Sequence, residues 1–129
     1  MLTTVAGQTW DSGFLLPVYE KAQSLGVPIF IHPTTPVGAQ VMKEWRLAII
    51  LGFEFDIMLS ATRLAYSGIL ERFPALNFVI AHLGAGIPFL AERIDRGYYD
   101  PTCGVKTKQP TSKYLKELHC DAVCFYKPA

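Results

Sequence analysis

Apolar positions in this chain fall into two kinds of stretch: short continuous runs bounded by glycine, proline or asparagine, and longer segments where they return every three to four residues. The first kind reads as strand and the second as helix, because side chains alternate along a strand and share one helix face at the longer spacing. Phe14, Leu15, Val18, Tyr19, Ala22 and Leu25 form a helical stripe, with Asp11 or Ser12 as its cap, Pro17 in its first turn and Gly26 at its end. Residues 27–31 then give a strand, and 32–38, HPTTPVG, a loop. A helix is predicted over 39–51, interrupted near Gly52, and a longer one over 53–73, which Pro74 closes. Residues 77–81 give a second strand, 88–99 a helix with Pro88 in its first turn, and 100–110 a surface connection. Thr111 or Ser112 caps a short helix carrying Tyr114, Leu115 and Leu118, and 120–125 gives a third strand.

Strands separated by helices imply a parallel sheet built from crossover units, its strands buried on both faces. The fold class is therefore α/β. The first two strands, GVPIFIHP and NFVIAHLGAGIP, each end in a histidine, His32 and His82. Ligands of parallel α/β folds bind beyond the carboxyl ends of strands, and neighbouring strands lie about 4.8 Å apart. Two of the chain's three histidines thus share an address and could face one pocket. Imidazole there serves as metal ligand, as general acid or base, or as a core side chain bonded to a carbonyl. A doubly wound nucleotide-binding sheet fits less well. Gly84, Ala85 and Gly86 open a G-x-G-x-x-G pattern, but Phe89 stands at the third glycine and no acidic residue follows at the expected distance.

At 129 residues and half hydrophobic, the chain fits one domain with a sizeable core, and no internal repeat or linker divides it. Twelve basic residues against eleven acidic ones leave a net charge of +1, without the basic stripe that would point to nucleic acid. No apolar stretch has the length of a membrane span and the first residues do not read as a signal peptide, so a cytoplasmic protein without a membrane partner is expected. Cys103, Cys120 and Cys124 match no zinc-finger spacing and are expected as free thiols, Cys120 and Cys124 as small apolar side chains on one strand face. His119 beside them lacks the spacing of a metal site.

FIHP at residues 30–33, GFEFDIMLSATRLAYSGILERFPALNFVIAHLGAGIPFLAERIDRGY at 52–98 and the late YLKELHCDAV resemble the amidohydrolase-related proteins of the aminocarboxymuconate-semialdehyde decarboxylase type. The resemblance implies a metal-dependent (β/α)8 barrel with carboxy-lyase or hydrolase chemistry on a small, aromatic or unsaturated carboxylate. It implies His32 as a metal ligand, His82 as the catalytic acid or base, and Trp45 near the substrate pocket, with a divalent metal, zinc in most relatives, as the cofactor. Arg46 and Arg63 are candidates for a forked contact to the substrate carboxylate. Ala85 stands where many relatives have glycine. The family's early H-x-H or E-x-H motif and its late G-S-D aspartate do not occur, and Asp121, on the seventh strand by resemblance, is not a substitute for them. A complete barrel needs about 250 residues. Residues 1–129 therefore read as an incomplete amidohydrolase-related domain, a partial TIM barrel running from about the fourth helix to the seventh strand, with three parallel strands and intervening helices. Two unpaired sheet edges favour self-association into a homo-oligomer. The alternative to an enzyme is a non-catalytic barrel fragment that only pairs with itself or other chains.

Overall fold

Three short strands, β1 (Ile29–Ile31), β2 (Phe78–Ile80) and β3 (His119–Cys120), lie side by side in that order and all run parallel. The computed structural model describes residues 1 and 3–123. The end of the expected third strand, Cys124 and Phe125, lies outside the described residues. Ile29 pairs with Phe78 and Ile31 with Ile80, so β1 and β2 end level and deliver His32 and His82 to the same edge.

Five α-helices are present among the described residues, the first ahead of β1 and the other four between strands: α1 (Leu16–Leu25), α2 (Phe53–Tyr66), α3 (Ile69–Arg72), α4 (Ile87–Tyr99) and α5 (Thr111–Leu115). Ser12 caps the 3-10 turn that leads into α1, its hydroxyl accepting from the Phe14 N–H, and Gly26 ends the helix at a left-handed φ of 62°. Both ends are where the sequence places them. The expected helix over 53–73 is two, because the chain reverses at Gly68, φ 79°. The stretch 39–51 is not one helix either. It forms 3-10 turns at Ala39–Val41 and Glu44–Arg46 and a π-turn at Ala48–Gly52, with Trp45 and Arg46 at positive φ. Gly52 explains the folding back: a Cβ there would stand 2.6 Å from Pro36 Cγ, so the chain is pressed onto the loop that follows His32.

Ile29, Ile31, Phe78 and Ile80 point into a core shared with Trp10, Tyr19, Ile57, Ala61 and Leu64. Trp10 and Tyr19 stack at 6.1 Å, and the Tyr19 hydroxyl donates to the Trp10 carbonyl at 2.5 Å. The strands are not buried on both faces as expected. Phe30 is 40% exposed and Val79 half-buried, because helices cover only one side of this sheet. In a barrel the other side faces the interior.

Candidate functional site

His82 begins where the ladder stops. The Ala81 N–H makes the last rung, to the Ile31 carbonyl at 3.1 Å, and the chain then tightens into a 3-10 turn at His82–Gly84. Two residues of this turn, His82 and Leu83, sit at φ 54°, a region that side chains other than glycine's rarely occupy. Such conformations cost about 1–3 kcal/mol each and persist where their surroundings hold them. Here the holding group is Asp121, just past β3. Its Oδ1 accepts from the N–H of Leu83 at 3.1 Å and of Val123 at 3.0 Å. Burial pushes the Asp121 carboxyl up, but the N–H groups of Leu83, Val123 and His82 together hold it below the usual carboxylate range.

The turn aims the His82 imidazole at three neighbours. It stacks on Phe53 at 6.2 Å, meets the His32 ring edge to face at 5.6 Å, and brings Nδ1 within 3.0 Å of Glu54 Oε1. This last contact has the distance of a hydrogen bond but not its angle, so Nδ1 is buried without a formed hydrogen bond. Glu54 comes from the first turn of α2, where a negative side chain complements the helix dipole. Phe53 precedes it, so one helix start supplies both the stacking face and the charge.

His32 lies on the uncovered side of the sheet with Phe30, ring centroids 6.4 Å apart. Its Nδ1 is 2.9 Å from the Pro33 carbonyl oxygen. A carbonyl only accepts, so Nδ1 carries the proton and Nε2 keeps a free lone pair. This is the tautomer that a metal-binding histidine needs, with its other nitrogen fixed by a backbone carbonyl. His32 therefore fits a metal ligand, although the described residues hold no group of three or more metal-ligating side chains.

The profile of the Amidohydrolase family matches residues 2–118. The chain belongs to the amidohydrolase family. It is similar to the 2-amino-3-carboxymuconate-6-semialdehyde decarboxylase of Dictyostelium discoideum, 31% identical over 123 residues, 94% of this chain and 34% of that relative. The solved 5-carboxyvanillate decarboxylase from Sphingomonas paucimobilis superposes at a TM-score of 0.80 and 27% identity, over 90% of this chain and 36% of its own. A dihydroxybenzoic acid decarboxylase from Polaromonas sp. JS666, solved with bound manganese and the inhibitor 2-nitroresorcinol, superposes at 0.72 and 27% identity, over 85% of this chain and 35% of its own. The chain spans about a third of the length of the relatives it matches, and its three strands are a partial (β/α)8 barrel.

Within this amidohydrolase segment, His32 and His82 meet as the sequence predicts, and the other candidates do not join them. Trp45 is 77% exposed on its turn, and no ring contact among the described residues links it to either histidine. Arg46 is exposed as well. Arg63 forks onto Asp11, Nε to Oδ1 at 2.8 Å and Nη2 to Oδ2 at 2.7 Å, near the opposite end of α2 from Glu54, so its guanidinium is already committed. It lines an open cleft of about 350 Å³ with Arg72 and Lys106, none of whose lining residues belongs to the histidine pair. Cys120 is exposed rather than buried, on the edge strand β3. His119 is exposed on the same strand. Sequence reasoning missed Glu54. An acid in a first helical turn has a sufficient local explanation in the dipole, and no spacing ties it to a histidine on a later strand.

Proposed function

We propose that this chain is the part of a metal-dependent decarboxylase that carries its proton-transfer residue, acting on a small aromatic or unsaturated carboxylate. The observation that carries the reading is the His82 imidazole, wedged between the metal-competent His32 and the Glu54 carboxylate on the open side of the sheet. The named activities of the similar proteins support it, since all three release CO2 from a carboxylate of this class.

In this reading His32 Nε2 would hold a divalent metal in part, which when bound would supply Lewis-acid polarisation of a substrate oxygen; the manganese bound by one relative and the zinc implied by the family resemblance are both candidates. The described residues hold no group of three or more metal-ligating side chains, so residues outside them would complete the ligand set. Protonated His82 gives its proton to the ring carbon that bears the carboxylate. The C–C bond to the carboxylate then breaks, its electron pair returns to the ring, and CO2 departs. Glu54 Oε1, 3.0 Å from Nδ1, places a carboxylate beside the imidazole that gives the proton. Phe53 stacks on the imidazole with ring centroids 6.2 Å apart.

The test is CO2 release by the chain, in whatever associated state it adopts, from 2,6-dihydroxybenzoate, 5-carboxyvanillate and an unsaturated amino-carboxylate, with manganese or zinc added. Release that depends on the metal and disappears in His82→Ala is the expected result. A chain that binds metal and these acids yet releases no CO2 from any of them overturns the reading.

A further inference from the structure

We propose that Asp121 is a positioning residue for His82, acting through the main chain: its carboxylate clasps the turn that carries the imidazole and so fixes where the ring points. The proposal rests on the reading of His82 as the proton-transfer group.

Three observations meet at this carboxylate. The first is the turn itself. His82 and Leu83 both hold left-handed φ without being glycine, so their conformation needs support from outside the turn. Within the turn, the Gly84 N–H donates to Ala81 at 3.1 Å and the Ala85 N–H to His82 at 2.8 Å, leaving the Leu83 N–H to point outward. Successive N–H groups in such a conformation form a concave site for an anion. Asp121 Oδ1 fills it, 3.1 Å from the Leu83 nitrogen.

The second is how Asp121 is itself held. Its own N–H donates to the Ile80 carbonyl at 3.1 Å, on the last residue of β2 before the turn, and its Oδ1 also takes the Val123 N–H at 3.0 Å. The residue is therefore pinned to β2 by its backbone and to the turn by its side chain. A small displacement of β3 would move both points together, and His82 with them.

The third is the partner set. The hydrogen bonds to this carboxylate come from backbone N–H groups of Leu83 and Val123. Both end on Oδ1, so that oxygen is taken up by the main chain. The assignment gives Asp121 a role that does not require it to replace an aspartate from another strand.

Asp121→Ala removes the clasp and Asp121→Asn keeps one neutral carbonyl acceptor. The expected result for Asp121→Ala is hydrogen exchange at the Leu83 amide faster by about tenfold or more, the worth of a charge-assisted bond. The His82 ring Cε1–H resonance shifts, and exchange at Ile31, Ile80 and α2 is unchanged. Asp121→Asn falls between Asp121→Ala and the parent chain. In chain that decarboxylates, kcat drops by about tenfold to hundredfold with KM held, as expected of a misplaced reacting group, and Asp121→Asn regains part of it. An unchanged Leu83 amide and His82 resonance overturn the proposal, and so does exchange that accelerates equally throughout β1, β2 and α2, which marks general destabilisation. If Asp121→Ala does not fold, Asp121→Asn is judged by the same two signals. If the parent chain shows no turnover, the function proposed above fails while exchange and resonance still decide the clasp.

Discussion

At the level of single residues, the two histidines have different surroundings and should have different jobs. His32 has one nitrogen tied to the Pro33 carbonyl and the other free, whereas His82 faces a carboxylate and an aromatic ring. His32→Ala is expected to lose metal and turnover together. His82→Ala is expected to keep most of the metal and lose turnover by about 10²-fold to 10⁴-fold. Metal analysis and steady-state rates on both variants check this: equal metal loss would make His82 a ligand, and full activity would make it a packing residue. The meeting of the two rings was legible in the sequence, because an apolar run, a histidine and a breaking loop occur twice at strand ends. Glu54 was not, since its approach to His82 depends on how the 39–52 segment folds back. That path is set by the contact of Gly52 with Pro36, which leaves no periodic trace.

Among elements, the packing of α4 on α2 passes through Gly97. A Cβ built there would stand 2.2 Å from the Tyr66 hydroxyl oxygen, and that hydroxyl donates to the Ile94 carbonyl at 2.5 Å. Gly97→Ala must either push the helices apart or break the bond, and is expected to lower stability by about 1–3 kcal/mol, the usual cost of overpacking. Gly13→Ala, where a Cβ meets nothing within 4 Å, is the control, and denaturant midpoints compare the two. A second link joins α3 to α5. Glu71 Oε1 accepts from the Lys108 N–H at 2.6 Å and from the Tyr114 hydroxyl. The Lys108 N–H, then the Tyr114 hydroxyl, hold its carboxyl below the ordinary value of 4.5. A lowered carboxylate pKa stabilises the fold above the unfolded value, and the contribution is lost as pH falls through the folded value. Melting temperature should therefore drop below about pH 4.5 in the parent chain, and less steeply in Glu71→Gln. The order of elements was legible because apolar spacing and caps mark each one. The breaks at Gly68 and over 39–51 were hidden, because the surrounding spacing continues across Gly68 and Trp45 has no sequence mark of positive φ.

For the molecule as a whole, the helices cover one side of the sheet and leave the other open. Val41, Trp45, Phe55 and Phe89 add exposed apolar surface, Phe89 at 92%. Together with the uncovered sheet face and the unpaired strand edge, this exposure favours association. The chain is expected to sediment as species larger than a monomer at micromolar concentration; a single monomeric boundary across that range would contradict this. That the chain is only part of a barrel was legible by counting strands against the eight of the complete fold, which is an argument from architecture and not from any one residue. The uncovered side also decides what a mutation can reveal. Phe30→Thr or Val79→Thr changes a surface that water already touches in the chain by itself, so neither should cost much there. Put the same strands inside a closed barrel, and each becomes a polar group without a partner. Two backgrounds that share these residues would then rank the same substitution differently, and a screen run on the short chain alone would report tolerance at positions where the longer protein has none.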